Sequence, residues 1–226
     1  MFSSELLSQL VNLYVKFSNV SCVSINEVPQ QLNDYLVNND ITYFGLNSEL
    51  CVKSIIRFAL ELIKLGLDPE LVSKPLSWRD FEGLVSEYLS LNDYYVIKNL
   101  RFSRKRYEVD VLGVDQVSGI GIVIDCKHWS PGYSKKGRLV RIASEHRSKV
   151  EEFSKDCLQV ISKYSMLRKV KIFVSVILTL TDVVRGYVGG SFIVPILRFN
   201  DFITNLRYYI DAFDSGVVVN NCYGRN

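Results

Sequence analysis

The sequence has few zinc-binding residues and no arrangement of them that suits a zinc site. Its 226 residues include two histidines and five cysteines, Cys22, Cys51, Cys126, Cys157 and Cys222. No two cysteines form a CxxC pair, and none stands at zinc-site spacing from a histidine. The odd number and the wide scatter predict reduced thiols in a cytoplasmic protein.

Long apolar runs are also absent. The longest, "IFVSVILTL" (Ile172–Leu180), is too short to span a bilayer as a helix. The first residues, "MFSSELLSQLVNLY", lack the basic segment and the small-residue cleavage site of a signal peptide. We therefore expect a protein with no membrane segment.

The net charge is small but unevenly distributed. The whole chain carries +3, whereas residues 97–149 contain twelve basic and five acidic residues. The rest of the chain is consequently net acidic. A local basic surplus indicates a polyanionic partner better than the total charge does, although an ordinary solvated face has the same composition.

The hydrophobic patterns divide the chain into two parts. Residues 1–75 predict a small, mainly helical domain. Its helices are one capped by Ser3 or Ser4, one from Ser24 to about Asn38 and one from about Asn47 to Gly66, and a short strand is predicted over Ile41–Leu46. Residues 76–226 predict an α/β core in which a helix capped by Ser77 is followed by three strands, a long helix and a further strand. The expected architecture is a mixed central sheet flanked by helices.

Two strands of the second part carry carboxylates that alternation brings together. "YEVDVLGV" and "IGIVIDCKHW" flank the turn "DQVSG", which predicts an antiparallel hairpin. Alternation puts Asp125 and Lys127 on one face, and the hairpin puts Asp110 beside Asp125. Two carboxylates away from water repel each other unless a cation lies between them. A hard divalent metal, with Lys127 facing an anion, is suited to phosphodiester hydrolysis.

These residues carry a family resemblance. "EVDVLGV…GIVIDCKHW" resembles the PD-(D/E)xK, or restriction-endonuclease-like, nuclease superfamily, and the element order matches its αβββαβ core. Asp110 resembles the first motif aspartate, preceded by Val109 instead of proline, and Asp125-Cys126-Lys127 resembles the D-x-K. Residues 76–213 are most similar to archaeal Mrr-like and Holliday-junction-resolvase-like members, including the closing "IVPILRFNDFI".

The resemblance implies a Mg²⁺-dependent DNA endonuclease that hydrolyses phosphodiester bonds by attack of a metal-bound water, with Mn²⁺ as a substitute and no organic cofactor. Asp110, Asp125 and the backbone carbonyl of Cys126 would bind the metal, and Lys127 would orient the water. The Phe81-Glu82 pair resembles the superfamily's helix motif, so Glu82 would complete the site. The helical wheel alone leaves Glu87 as an alternative.

Further residues are candidates for contact with DNA, duplex or branched. They are Lys135, Lys136, Arg138 and Arg141 after the motif, Arg104, Lys105 and Arg106 before it, and His128 at its end. The first of these groups lies in and just after "SPGYSKKGRL", which predicts a polar, basic loop. The basic residues would neutralise phosphates, although an ordinary exposed loop has the same sequence character. His128 and Trp129 either contact DNA or pack at the strand end, and His146 lies on an apolar helical stripe typical of a buried, satisfied histidine.

Residues 1–75 stand where related archaeal proteins carry a winged-helix-like module, but their second helix is not basic, so domain packing or dimerisation is the alternative role. Cleavage of both DNA strands favours a homodimer. Two other functions remain open at this point: a catalytically inactive DNA-binding protein of the same fold, and a helical protein-interaction module.

Overall fold

A computed structural model describes residues 3–103, 107–129, 135–156, 158–213 and 216–223. The chain divides into two compact units, Met1–Leu84 and Val85–Asn226. The division falls inside one helix, α5 (Trp78–Leu91), whereas the sequence placed a domain boundary before it, at residue 75. That boundary stays a prediction.

The first unit is mostly helical, as expected. Two of its helices begin after serines that cap them: Ser3 Oγ accepts the Leu6 N–H at 3.2 Å, and Ser54 Oγ accepts the Arg57 N–H at 3.3 Å. The Tyr14 hydroxyl donates to the Val72 carbonyl at 2.7 Å, which joins the first and the last helix. The helices are α1 (Ser4–Phe17), α2 (Gln30–Asn38), α3 (Ile55–Lys64) and α4 (Pro69–Ser73).

The first unit also contains a small antiparallel sheet, of which the sequence reading found one strand. The strands are β1 (Cys22–Ser24), β2 (Thr42–Phe44) and β3 (Glu49–Val52), in the order β1-β3-β2. The short strand predicted at 41–46 is confirmed as β2. The helix predicted from Asn47 begins only at Ile55, because Asn47 and Ser48 form a turn with φ of 57° each and β3 pairs on both sides.

The cysteines correct another expectation. Cys22 and Cys51 are register partners on β1 and β3, with Cα atoms 4.0 Å apart, and they form a disulfide. Cys222 is disulfide-bonded as well, whereas Cys126 keeps its thiol. The prediction of uniformly reduced thiols is therefore wrong, because cysteines 29 residues apart in sequence become neighbours only once the strand register is known.

The second unit is built on a large mixed sheet in the order β4-β5-β6-β7-β9-β8, with β10 pairing β7. β4, β5 and β6 form an antiparallel meander, and β6, β7 and β9 are parallel. The predicted hairpin and mixed sheet are thereby confirmed. The strands are β4 (Tyr95–Phe102), β5 (Tyr107–Asp115), β6 (Ile120–Lys127), β7 (Ile172–Thr179), β8 (Gly186–Val188), β9 (Ser191–Pro195) and β10 (Val217–Val219).

Helices cover both faces of this sheet. They are α6 (Lys135–Lys155), α7 (Leu158–Lys163), α8 (Ile196–Thr204) and α9 (Leu206–Ala212). Ile193 on β9 packs with Leu139 and Ala143 of α6, whereas its neighbour Phe192 contacts Phe202 of α8. Successive strand residues point to opposite faces, so α6 and α8 lie on opposite sides of the sheet.

Within the described ranges, every helix is too short or too polar to span a bilayer. The cytoplasmic location expected from the sequence stays a prediction.

Candidate functional site

The register of β5 and β6 brings the two aspartates together. The paired residues end at Val111 and Ile124, and Asp110 and Asp125 stand one residue further out on the two strands. β6 continues along β7 as far as Lys127, so its β5 side is left open there. Asp110 Oδ2 fills this opening by accepting the Cys126 N–H at 2.7 Å, which fixes the carboxylate at the end of the hairpin.

The pairing of β5 with its other neighbour, β4, is interrupted opposite Asp110. β4 pairs with β5 on either side of Asn99, but Asn99 itself has a left-handed φ of 52°. Such a residue inside a strand breaks the regular ladder, as a bulge does. Asp110 consequently lies at an irregular point of the sheet, a common position for a functional side chain.

Two lysines converge on Asp125. The Lys127 ammonium pairs with Asp125 Oδ2, and Lys149 Nζ, from α6, lies 3.7 Å from Asp125 Oδ1 and donates to the Glu108 carbonyl at 3.4 Å. The side chains of Asp125, Lys127 and Lys149 are 11%, 20% and 25% exposed. The site therefore joins two carboxylates and two ammonium groups in a largely buried place.

Electrostatics in the site disfavour the charged form of Asp110. Burial, and then the negative charge of Asp125, raise the pKa of the Asp110 carboxyl; the Cys126 N–H, Lys127 and Lys149 oppose this without cancelling it. Asp125 Oδ2 is buried in contact with the Lys127 ammonium. A divalent cation beside both carboxylates would relieve their repulsion, so the two aspartates fit a hard metal ion.

The Cys126 carbonyl is compatible with the same site. An extended residue directs its N–H and its C=O toward the same neighbouring strand. Because the Cys126 N–H is bound to Asp110, the carbonyl also faces the β5 side. Its role as a metal ligand stays a prediction.

The helix carboxylate is distinguished by burial. Glu82 is 8% exposed and shares the buried face of α5 with Ser86, one turn later, whereas Glu87 is exposed. Burying a carboxylate is costly unless it is used or satisfied. Burial thus distinguishes Glu82 from Glu87, and the role of Glu82 in the site stays a prediction.

The basic residues after the motif begin a helix instead of forming a loop. Lys136, Arg138 and Arg141 are exposed at the start of α6, whose first turn contains no acidic residue. The positive end of the helix dipole disfavours cations there and favours an anion. The Arg138 guanidinium lies 4.9 Å from the centre of the Trp129 ring, and Arg141 pairs with Glu145 at 3.4 Å.

The remaining candidates are only partly described. Trp129 packs against a buried cluster that includes Leu139 and Ile177, and His128 is half-buried. The side chain of Lys135 lies outside the described residues. The same holds for the three candidates before the motif, Arg104, Lys105 and Arg106.

The sequence did not indicate that Lys149 reaches Asp125. It predicted the burial of His146 but not that one of its ring nitrogens lacks a hydrogen bond to the described residues. His146 is 2% exposed, as expected of a buried histidine, and its Nε2–H donates to the Val123 carbonyl at 3.0 Å. Its Nδ1 has no hydrogen-bond partner in the described part of the chain, and burial lowers the His146 pKa to about 4. The helical spacing of His146, Lys149 and Val150 was the available signal: it puts Lys149 beside the stripe that faces the sheet.

Among the described residues, Cys22, Glu49 and Cys51 are the one group of three metal-ligating side chains close enough to share an ion. Because Cys22 and Cys51 are bonded to each other, their sulfurs are not free thiolates. This group is therefore not a metal centre in the disulfide form.

Comparisons with known proteins give no family for the chain. No family model matches. An uncharacterised protein of Archaeoglobus fulgidus is 29% identical over 140 residues, which are 61% of this chain and 98% of that protein.

Two solved structures are similar at low identity. The protein VC1899 from Vibrio cholerae is 13% identical, with a TM-score of 0.36 over 96% of this chain and 58% of that one. Can2 from Sulfobacillus thermosulfidooxidans, solved in complex with cyclic tetra-adenylate, is 12% identical, with a TM-score of 0.36 over 94% and 53%. This chain spans a little over half the length of each of these structures.

Proposed function

We propose that the chain is a Mg²⁺-dependent DNA endonuclease of the PD-(D/E)xK, restriction-endonuclease-like superfamily, similar to its archaeal Mrr-like and Holliday-junction-resolvase-like members. The observation that carries the proposal is the Asp110 carboxylate, anchored on the Cys126 N–H beside Asp125 at the open end of the hairpin. Sequence motif and geometry coincide at this point. The order of helix, three strands, helix and strand supports the same superfamily.

The acidic residues have the role of holding the metal. Asp110 and Asp125 offer carboxylate oxygens, Glu82 is the third candidate, and Mn²⁺ accepts the same oxygen ligands as Mg²⁺. When bound, the metal would polarise a phosphate oxygen and make water a stronger nucleophile at neutral pH. Because the pKa of Asp110 is raised, a metal would have to displace a proton from this carboxyl at low pH, so metal binding should be tighter at higher pH.

The lysines act on the phosphate side of the reaction. Lys127 is one pleat beyond Asp125 on the same strand face, so its ammonium is placed to orient water and to stabilise negative charge that develops on the phosphate. The exposed basic start of α6 lies after the same strand end and would hold neighbouring phosphates. A homodimer would supply a second site for the opposite strand.

One observation favours the second candidate, a DNA-binding protein without activity. Lys127 and Lys149 together neutralise Asp125 without any metal, which is also what a structural ion-pair cluster would do. The third candidate, a helical interaction module, is inconsistent with the large sheet of the second unit.

Cleavage of supercoiled plasmid and of branched DNA, in Mg²⁺, Mn²⁺ or EDTA, tests the proposal. We expect cleavage by the wild type in either metal and none in EDTA. Asp125→Asn should lower the rate by about 100-fold or more, whereas Asp211→Asn, an exposed carboxylate on α9, should not. DNA left uncut by the wild type in both metals would reject the enzyme, and retained salt-sensitive binding would then support the inactive DNA-binding protein.

A further inference from the structure

A second site with a distinct chemistry lies where β9 ends and α8 and α9 follow. A cavity of about 500 Å³ is formed there within the second unit. Its lining combines the aromatic side chains of Phe192, Phe202 and Tyr209 with Arg185 and Arg198. None of these residues belongs to the proposed catalytic group.

The aromatic wall is continuous. The ring centres of Phe192 and Phe202 are 5.4 Å apart, and those of Phe202 and Tyr209 are 5.1 Å apart. Both phenylalanines are buried, and Tyr209 is half-buried. The two phenylalanines therefore back the cavity, and Tyr209 and Phe213, which lines the cavity and is 39% exposed, offer the ring surface on which a nucleobase can stack.

The charged residues that line the cavity are Arg185, Arg198 and Asp201. Arg185 pairs with Asp182 at 3.3 Å, and Arg198 makes no ion pair with the acidic residues that the structure describes. Asp201, the acidic lining residue, is already bound by the Tyr209 hydroxyl at 2.7 Å and by Asn205 Nδ2 at 2.9 Å. Arg198 is therefore the guanidinium best placed to bind an anion, above all a phosphate, and Arg185 would share its charge between that anion and Asp182.

The cavity lies at the edge of the sheet that carries the candidate catalytic residues. Lys127 is the register partner of Thr179, and Thr179 of Pro195, which lines the cavity. Two strand spacings amount to about 10 Å. The two sites are also linked along the chain. The Leu180 N–H donates to the Lys127 carbonyl at 3.1 Å, and residues 180–185 lead from this hydrogen bond to Arg185 of the cavity.

The two sites use opposite faces of the sheet. Phe192 is on the α8 side, whereas Asp125 contacts Lys149 of α6. A DNA strand that occupied both sites would therefore cross the carboxyl ends of β7 and β9. This edge is where ligands usually bind to parallel sheets.

We propose that this cavity binds one nucleotide, with its base against the aromatic side chains and its phosphate on Arg185 and Arg198. Binding of a nucleotide does not depend on the nuclease activity. That the nucleotide belongs to a substrate strand, displaced from its stack near the scissile phosphate, rests on the proposed function.

Calorimetric titration of the full chain in EDTA tests the cavity. The probes are dAMP, dCMP, dGMP and dTMP. The corresponding deoxynucleosides and inorganic phosphate are titrated separately, as the two halves of each mononucleotide. We expect a mononucleotide to bind about tenfold more tightly than either half. The double variant Arg185→Ala/Arg198→Ala should weaken this binding by about tenfold or more.

The matched control is Arg168→Ala/Arg207→Ala, which removes the same charge from two exposed arginines that do not line the cavity. Equal losses in the two double variants, or no binding of any mononucleotide at about 10 mM, would overturn the proposal.

Two further arms separate this inference from the proposed function. Asp125→Asn should lose cleavage and keep mononucleotide binding, so the two ideas fail independently. A single-stranded oligonucleotide that displaces dAMP supports a subsite for the strand. Mononucleotide binding that depends on the two cavity arginines but resists the oligonucleotide supports a site for free nucleotides in the same cavity.

Discussion

Asp110 is a residue whose placement disfavours its own charge. Burial and Asp125 raise its pKa, and a carboxyl with a raised pKa stabilises the fold below the pKa of the unfolded chain and loses that contribution as the pH rises through the folded value. The ionised residue is therefore costly at high pH unless a cation joins it. Functional sites commonly carry such a cost.

Asp110→Asn should consequently stabilise the metal-free protein. Asparagine keeps an oxygen for the Cys126 N–H and removes the repulsion with Asp125, so in EDTA we expect the free energy of unfolding at pH 8 to rise by about 1 kcal/mol. The gain should shrink toward pH 4. Urea unfolding at the two pH values measures it, and the variant should lose cleavage.

Asp115→Asn is the control for this experiment. Burial acts on Asp115 too, but hydrogen bonds from the Ser118 hydroxyl and the Val117 and Ser118 N–H groups outweigh it and lower the Asp115 pKa. Asn at this position should destabilise the protein at pH 8. Equal effects of the two variants would contradict the special position of Asp110.

His146 gives a pH dependence of the opposite kind. Its pKa in the folded chain is about 4 because it is buried, whereas the unfolded residue titrates near 6.5. The neutral ring therefore stabilises the fold above the unfolded pKa, and this contribution is lost as the pH falls from about 6.5 toward 4.

His146→Gln should flatten the stability profile between these pH values. The Gln amide can still donate to the Val123 carbonyl and does not titrate, so the wild type should lose about 1–3 kcal/mol more than the variant on acidification. Urea unfolding between pH 7 and pH 4.5 measures the difference. His128→Gln, at a half-buried histidine, should leave the profile steep; an equally steep profile for His146→Gln would refute the assignment.

At the scale of elements, alternation predicted the hairpin of the site correctly. The apolar residues of β5 and β6 tolerate one register, since a slip by one residue would reverse every side chain, and that register aligned Asp110 with Asp125. The strand β3 was missed because its four residues run directly into an amphipathic helix with no proline or glycine between them. The Cys22–Cys51 disulfide could not be predicted for the same reason, because the two cysteines are neighbours only through the register of β3 with β1.

The helix α6 contributes what no strand pattern could indicate. Its buried stripe sets its rotation on the sheet, and Lys149 thereby reaches both Asp125 and the Glu108 carbonyl. Contacts between elements distant in sequence follow from packing, which a sequence pattern specifies only for each element separately.

Lys149→Gln tests this contact through the pH dependence of cleavage. Lys149 lowers the pKa of Asp110, so its neutralisation should move the acidic limb of the cleavage profile to higher pH by about one unit. Lys155→Gln, on the same helix and paired with Glu152 at the surface, is the matched control. A slower enzyme with an unshifted profile would indicate a purely structural role for Lys149.

At the scale of the whole molecule, exposed basic residues lie at both ends of the large sheet. The parallel strands β6, β7 and β9 end at the same edge, and the basic start of α6 follows the end of β6. Lys163, Arg168 and Lys169 precede β7 and so lie toward the opposite end, about 25 Å away along an eight-residue strand. Two exposed basic groups of equal charge thus stand at opposite ends of one sheet.

The salt dependence of DNA binding should distinguish these two groups. In an Asp125→Asn background, which prevents cleavage, each phosphate contact contributes about 0.9 to the slope of log K against log salt. Replacing Lys136, Arg138 and Arg141 by Ala should therefore reduce the slope by up to about three.

Replacing Lys163, Arg168 and Lys169 by Ala removes the same charge and should leave the slope nearly unchanged, because these residues lie away from the proposed DNA path. Fluorescence anisotropy of a labelled duplex at several salt concentrations measures both slopes, and equal reductions would mean that the protein binds DNA through its overall charge instead of through the edge that carries Asp110 and Asp125.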